Sequence, residues 1–379
     1  FPVTKTSVPA LEGASIVIWT TTPWTIPGNR AVAYGEEFDY AVYEVTEIAE
    51  KSSAVVGEKI VLGSALAEAV KTAAKITGLK KIARVKGAEL AGTIVGHPLA
   101  GKGYDFDVPV LPAEFVTLDA GSGFVHISPG AGLDDFLLGQ EHGLEIISTV
   151  DDAGKFHDHM PLVAGMDVME DNYKIAMLIQ DAGGLVGVGR LVHSYPHSWR
   201  SKAPLIFRTT PQWFISMDTN ALRDKALAAI DDTRFVPSRG RNRLRAMIEQ
   251  RPDWCVSRQR TWGVPIPVFV NKRSGEPLRD QAVIDRIADI FEVEGSDAWF
   301  SSEPSRFLGD AYDAKNFDQV QDVVEVWFDS GSTHSYVLEA RPELQWPASL
   351  YLEGSDQHRG WFHTSLLQSC GTRGRAPFD

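Results

Sequence analysis

Three clusters hold the side chains best suited to chemistry. The first is Thr20-Thr21-Thr22-Pro23-Trp24-Thr25-Ile26-Pro27-Gly28-Asn29, where three consecutive hydroxyls precede a proline-fixed turn. Hydroxyls donate and accept, so this run offers several partners to one small polar ligand or to a water. Threonine is also a good strand residue, and Thr-Pro an ordinary turn, so plain structural use competes with that reading. The second cluster runs from Gly123 through Phe124-Val125-His126-Ile127-Ser128-Pro129-Gly130-Ala131-Gly132-Leu133-Asp134-Asp135-Phe136. A histidine ends a strand, a glycine-rich turn follows, and paired carboxylates open a helix. Either aspartate suits the N-cap of that helix. An aspartate not so used is free to hold a cation such as an α-ammonium. A metal at His126, Asp134 and Asp135 would need further ligands that the sequence does not clearly provide. The third cluster is Glu353-Gly354-Ser355-Asp356-Gln357-His358-Arg359-Gly360-Trp361. Glu353 suits an ammonium or a ribose hydroxyl, and Gly354 lets a ligand approach the backbone closely. Asp356 as a helix N-cap is compatible with that use.

Elements of two kinds must position these clusters. The first 200 residues read as short strands with turn signals: Ser15–Trp19, Tyr40–Val45, Phe124–Ile127, and Leu185–Val192 after Gly183-Gly184. Helices are expected from about Val61 to Ala74 and from about Glu170 to Ile179. This mixture predicts a β-barrel-like domain with flanking helices. From about Ser201 the pattern changes. An extended stretch over Phe207–Met217 precedes helices at Asn220–Ile230, Asn242–Glu249 and Gln281–Ile290. Near the end, Leu350-Tyr351-Leu352 reads as a strand feeding a glycine-containing turn and a helix that stops near Gly371. That is the unit of a doubly wound parallel sheet, with ligands at the strand's C-terminal end. The expected fold is therefore α/β overall. Histidines 157, 159, 193 and 197 read as solvated loop residues, because Pro196 interrupts any helix joining the last two.

Composition narrows the class. Hydrophobic residues make up 44% and charged residues 23%, as in an ordinary globular protein rather than a disordered or fibrous one. No apolar run approaches the roughly 20 residues of a membrane span. Cys255 and Cys370 are the two cysteines, which excludes a disulfide scaffold and fits a reducing, cytoplasmic setting. The net charge of −13 argues at first against a nucleic-acid partner. Locally it does not: residues 234–260 hold eight arginines against Glu249 and Asp253, with Trp254 and Trp262 interleaved. Arginine at that density engages phosphates, or else forms a solvated helix face with internal ion pairs.

Six segments, in order, resemble bacterial isoleucyl-tRNA synthetases, which are class I enzymes: TTTPWTIPGN (20–29), GFVHISPGAGLDDF (123–136), YPHSWRSKAPLIFRTTPQWF (195–214), RPDWCVSRQRTWGVPIP (251–267), VWFDSGSTH (326–334) and YLEGSDQHRGWF (351–362). Thr22 followed by Pro-Trp resembles the isoleucine enzymes rather than their valine and leucine relatives. The family's HIGH-type and KMSKS motifs do not occur here. The resemblance therefore implies an internal piece: an editing domain over 1–200, a connective region with an Arg-rich helix over 201–320, and part of a Rossmann catalytic domain over 321–379. Ser198 and Ser201 stand where many relatives carry Cys, so no thiol or metal role is expected there.

The resemblance also implies roles. Thr20, Thr21, Thr22 and His126 would line an editing pocket around a valyl side chain, with His126 the wall against isoleucine's extra methylene. Asp135 would pair with the substrate α-ammonium. Asn29 would contact the terminal adenosine or frame the pocket. Glu353 would touch the aminoacyl-adenylate, with Gly354, Asp356 and Gln357 adjoining it, while Trp327 and Trp361 would wall the isoleucine pocket. The expected partners are tRNA(Ile), isoleucine, valine and their adenylates, with a monomeric chain. No cofactor is expected in the chain itself. ATP and Mg2+ belong to the full-length enzyme, and the family's zinc site lies outside these residues. A fragment that binds tRNA or amino acid without turnover is the alternative, and an unrelated metallohydrolase a more distant one.

Overall fold

The computed structural model describes residues 1–379, which fold as two compact units, Phe1–Thr210 and Pro211–Asp379. In the first unit, short runs of β-branched and aromatic residues form nine strands. Strands β1 (Val3–Lys5), β3 (Ala31–Tyr34), β7 (Ile94–Gly96), β8 (Asp107–Pro112) and β9 (Phe124–Ile127) make a mixed sheet in the order β1-β7-β8-β3-β9. Strands β2 (Ala14–Ile16), β4 (Asp39–Ile48), β5 (Lys59–Gly63) and β6 (Ile76–Lys86) make a second in the order β2-β5-β4-β6. The alternation of side chains along a strand explains how both sheets are covered on two sides. Tyr40 and Val42 of β4 join Val32 and Tyr34 of β3 in one central core, together with Trp24, Ile26 and Phe124. Ala41, Tyr43 and Val45 face the other way, onto Ala67 of helix α1 (Ala67–Ala73) and Ile76. Ala31, Ala33 and Ile127 likewise turn outward onto Leu138 of helix α2 (Leu133–Glu141). Helix α3 (Asn172–Asp181) closes the central core with Ile175 and Ile179.

Three expectations for this unit need correction. The sheets touch at a corner, where the Ile16 amide donates to the Phe1 carbonyl at 2.8 Å and Pro2 bridges Ser15, but they do not close into a barrel. Residues 61–63 are strand rather than helix: Ile60 and Val61 pair with both β2 and β4, Leu62 and Gly63 with β4, and the helix starts only at Ala67. A central strand with partners on both sides outcompetes the helical propensity that flanks it. Residues 185–192 form no strand. Their backbone runs close over the end of α1, so a Cβ at Gly187 would lie 2.7 Å from Ala74 Cα, and Leu191 and Val192 are exposed.

The second unit is helical, with strand pairs only two strands wide. Its main core packs α4 (Leu222–Asp232) and α5 (Arg239–Glu249) with the last helix, through Leu222, Ala226, Ile230, Leu244, Ile248, Leu366, Leu367 and Cys370. Strands β10 (Phe214–Ile215) and β11 (Trp254–Cys255) pair, as do β12 (Ser257–Arg258) and β15 (Val323–Val324). A smaller core gathers Phe269, Trp299 and Phe307 from β13 (Phe269–Asn271), α7 (Ala298–Ser301) and α8 (Pro304–Leu308) with Val283 and Ile287 of α6 (Gln281–Glu294). Strand β14 (Phe317–Gln319) pairs with β13. Helices α9 (Val326–Gly331) and α10 (Trp361–Arg373) flank the third polar cluster. Leu350–Leu352 is not a strand: Leu350 and Leu352 are exposed, no backbone partner runs beside them, and Tyr351 is held by stacking on Trp361 at 4.1 Å. The helix-capping expectations differ too. Gly132, rather than either aspartate, precedes α2, and Gly354 precedes the short turn holding Asp356.

Candidate functional site

The threonine cluster sits on a 3-10 turn, Pro23–Gly28, that carries prolines at both ends and is buried from Trp24 onward. Proline pre-sets the backbone angle such a turn needs. Two neighbours pin it from below. The Trp24 amide donates to Asn172 Oδ1 at 3.1 Å, at the start of α3. His97 donates through Nε2 to the Ile26 carbonyl at 2.9 Å while its Nδ1 accepts from the Leu99 amide at 3.1 Å. His97 is buried and stacked on Tyr104 at 4.7 Å, and burial lowers its pKa to about 4, so it stays neutral.

On this base the polar side chains meet. Thr20 Oγ1 lies 3.3 Å from Thr22 Oγ1 and accepts the Thr22 amide at 3.0 Å. Thr25 Oγ1 lies 2.9 Å from the Thr22 carbonyl and 2.8 Å from His126 Nε2. His126 projects from β9, which pairs with β3 at Val32↔His126. Its Nδ1 lies 3.5 Å from Asn29 Nδ2, and that amide also donates to the Ala31 carbonyl at 2.8 Å. Burial, followed by neighbouring His97, lowers the His126 pKa to about 4. A neutral imidazole whose nitrogens both face protein groups is a wall rather than a proton shuttle at neutral pH.

Asp135 reaches the same region just past the C-terminal end of β9. It stands in the first turn of α2, and its Oδ2 accepts the Ser128 amide at 2.7 Å, two residues beyond His126. Gly130 is required in the intervening turn, since a Cβ there would fall 2.2 Å from the Ile147 carbonyl oxygen. Burial raises the Asp135 pKa to about 6; the Ser128 amide opposes this and Asp134 adds to it. A carboxylate desolvated without a cation beside it favours any ligand that brings one. No group of three His, Cys, Asp or Glu gathers here in a metal-holding arrangement.

In the second unit the third cluster is open. Glu353, Gly354 and Asp356 are exposed, and the contacts of Glu353 and Asp356 are with sequence neighbours: Glu353 Oε2 with the Gly354 amide at 3.4 Å, Asp356 Oδ2 with Gln357 Nε2 at 3.0 Å. Gln357 Oε1 accepts the Trp361 amide at 2.9 Å. The Trp327 ring lies against Gly360, and Trp361 Nε1 donates to the Ser330 carbonyl at 3.0 Å. The arginine window is divided. Arg241 and Arg245 pair with Asp231, Arg245 also with Glu249, Arg258 with Glu325, and Arg251 lies over Trp254. Arg234, Arg239, Arg243 and Arg260 are exposed.

The structure thus joins Thr20 and Thr22 to His126 and Asn29 by way of Thr25, and brings Asp135 to the neighbouring Ser128 amide. Thr21 is exposed beside them. Two participants were not singled out from the sequence. Thr25 stands three residues after Thr22, one turn on, which is a readable signal. His97 lies 71 residues from the carbonyl it holds, with no local signal.

The family described as tRNA synthetases class I (I, L, M and V) matches residues 12–379. The isoleucine–tRNA ligase of Pelagibacter ubique (strain HTCC1062) is 54% identical over 379 residues, covering 100% of this chain and 41% of that protein. The isoleucine–tRNA ligase of Gluconobacter oxydans (strain 621H) is 50% identical over 392 residues, again covering 100% and 41%. The chain therefore spans about two fifths of the length of these relatives. Among solved structures, one titled GlLeuRS-CP1 aligns with 49% of this chain and 86% of its own at 16% identity and a TM-score of 0.36. The Plasmodium knowlesi cytosolic leucyl-tRNA synthetase editing domain aligns with 45% and 82% at 11% identity and a TM-score of 0.35. By its sequence from residue 12 to residue 379, the chain belongs to the class I tRNA synthetases of the I, L, M and V group.

Proposed function

We propose that this chain is the editing-bearing portion of an isoleucine–tRNA ligase, and that its first unit hydrolyses valine wrongly esterified to tRNA(Ile). The observation that carries this reading is a run of threonine hydroxyls linked through Thr25 to a neutral, hydrogen-bonded His126, with a carboxylate lacking a cation, Asp135, bound two residues further on, just past the end of the same strand. The chemistry answers a size problem. A pocket that must accept isoleucine gains only about 1–3 kcal/mol from the one methylene valine lacks, a limit for which isoleucyl-tRNA synthetase is itself the standard illustration. A second pocket that admits only the smaller side chain discriminates by clash. Here Thr20, Thr21 and Thr22 line the valyl side and His126 blocks the extra methylene, while Asn29 frames the wall.

Asp135 anchors the α-ammonium. Pairing with a cation favours its ionised form, against the burial that raises its pKa. No side chain here has the arrangement of a covalent nucleophile with its own base, so the attacking group is a water held by threonine hydroxyls and main chain. Water adds to the ester carbonyl, the ribose oxygen leaves and takes a proton, and valine and tRNA are released. Catalysis rests mainly on orientation. In the second unit, Glu353, Gly354, Asp356, Gln357, Trp327 and Trp361 belong to part of a Rossmann-type catalytic domain, which in the whole enzyme uses ATP and Mg2+ to form isoleucyl-adenylate. The exposed arginines of 234–260 suit tRNA phosphates. The whole protein is read as a monomeric cytoplasmic enzyme, and this chain alone is expected to show no ATP–pyrophosphate exchange. The test is deacylation of Val-tRNA(Ile) by the purified chain. No acceleration over buffer, with the fold intact, would favour a binding fragment without turnover.

A further inference from the structure

We propose that one face of the edge strand β6 docks the phosphate backbone of the tRNA through Lys81, Arg84 and Lys86. The inference rests on the reading of the first unit as one that acts on aminoacyl-tRNA. It starts from charge. Residues 71–86 hold five lysines and one arginine and no acid, in a chain whose net charge is −13. Side chains alternate along a regular strand, so Lys81 and Arg84 would point to opposite faces. A bulge changes that. Val42 of β4 pairs with Ala83 and the adjacent Tyr43 with Lys81, which leaves Ile82 as the extra residue. Lys81 opposite Tyr43, Arg84 opposite Ala41 and Lys86 opposite Asp39 thereby share one face of the sheet. The Lys81 ammonium lies 5.6 Å from the centre of the Tyr43 ring, and Lys86 Nζ lies 2.6 Å from Asp39 Oδ1. The bond and charge of Lys86 hold the Asp39 carboxyl below the usual carboxylate range, and Arg84 and Lys81 add to the pull.

Three exposed cations thus share one carboxylate. The Lys86 and Asp39 side chains are 69% and 65% exposed, so their pair opens at little cost to meet a phosphate. Neighbouring cations stand about two residues apart along the strand, roughly 6.6 Å, which suits successive phosphates better than one small anion. Strand β6 ends its sheet, three strands from β2, whose chain continues to the Thr20 cluster. Three inter-strand steps are roughly 14 Å. A ligand that reaches both places is larger than an aminoacyl-adenosine, as the RNA beyond the ester is. Lysines and a bulge also keep an edge strand from pairing with another sheet. That use does not call for cations gathered on one face, and it makes a different prediction.

The test measures binding of uncharged tRNA(Ile) to the full chain between about 50 and 200 mM salt. One variant carries Lys81→Gln, Arg84→Gln and Lys86→Gln. A control carries Lys5→Gln, Lys80→Gln and Lys102→Gln, which removes the same charge from exposed positions off that face. The first variant should bind roughly 10- to 100-fold more weakly at about 100 mM salt, and its slope of log K against log salt should fall by about 2 to 3. The control should stay within about threefold of the parent. In Val-tRNA(Ile) hydrolysis the first variant should raise KM and leave kcat unchanged. Unchanged affinity and slope in a folded first variant would overturn the surface, and new aggregation in it would then mark the cations as guards of the edge. Equal losses in the control, or a parent that does not bind tRNA(Ile), would overturn it as well. So would poly-glutamate that displaces the tRNA as well as RNA of equal charge does. Should the triple variant not fold, Lys81→Gln and Arg84→Gln made singly should each lower the slope by about one. A parent that binds tRNA(Ile) but hydrolyses neither ester would end the editing reading, while the salt slopes still decide the surface.

Discussion

The two polar clusters that sequence motifs place in different units are built in opposite ways. In the first unit, Thr20, Thr22, Thr25, His126 and Asn29 bond to one another, and His126 is buried to 8% exposure. In the second, Glu353, Gly354 and Asp356 are exposed, and the two carboxylates bond only to their neighbours in sequence. Under the proposed function, the contrast teaches what each kind of selection requires. Rejecting a ligand by clash needs a wall that does not yield, and such a wall needs its own closed core and saturated hydrogen bonds. Gathering several polar contacts around an adenylate tolerates side chains that settle only when the ligand arrives.

Substitutions that strike one side of this contrast test it. The largest effect is expected from Asp135→Asn, which keeps an acceptor for the Ser128 amide but removes the charge. Hydrolysis of Val-tRNA(Ile) should fall by roughly 10- to 100-fold in kcat/KM, the worth of a charge-assisted contact, with no loss of thermal stability at neutral pH. Retained activity would remove Asp135 from the anchoring role.

A smaller effect is expected from pH. Because Asp135 ionises near pH 6, kcat/KM for Val-tRNA(Ile) should drop about tenfold between pH 7.5 and 5. Stability runs through different groups. The folded chain holds His97 and His126 neutral down to about pH 4, whereas an unfolded histidine takes up its proton near 6.5. Their contribution is therefore complete above about pH 6.5 and lost as pH falls toward 4. Asp135 acts in the opposite sense: its raised pKa favours the fold below about pH 4, and that help is lost as pH rises through 6. Thermal melts across pH 4–7 should accordingly decline toward acid less steeply than two histidines alone would give, and Asp135→Asn should steepen them.

His97→Phe preserves stacking on Tyr104 but leaves the Ile26 carbonyl and the Leu99 amide unpaired, so about 1–3 kcal/mol of unfolding free energy should be lost in chemical denaturation. The smallest effect is expected in the second unit. Arg373→Ala breaks a largely solvent-exposed pair with Glu339 and should move Val-tRNA(Ile) hydrolysis by less than about twofold. A large loss there would mean that the first unit's pocket is not self-sufficient.

How much of this was legible in the sequence depended on how local each feature is. The helices at 172–181, 222–232, 239–249 and 281–294 follow from spacing within single segments. The Thr20–Asn29 turn and the strand ending in His126 were visible because prolines and glycines punctuate them. Residues 61–63 read as helix by local propensity, because their strand pairing with β2 and β4 is decided by distant partners. The same holds for 185–192, where only the close pass over Ala74 explains Gly187, and for 350–352, whose apolar residues have no strand beside them. At the site, motif resemblance pointed to Thr20, Thr22 and His126. It did not reveal that Thr25 links them, since a hydrogen bond spanning 101 residues leaves no trace in spacing.

The most direct test of the central claim is the hydrolysis of Val-tRNA(Ile) and Ile-tRNA(Ile) by this chain and by its His126→Ala variant, measured side by side. The account predicts that the parent hydrolyses the valyl ester and spares the isoleucyl ester, and that removing the wall raises isoleucyl hydrolysis by roughly 10- to 100-fold. Isoleucyl-tRNA that stays protected in a folded His126→Ala chain would contradict it.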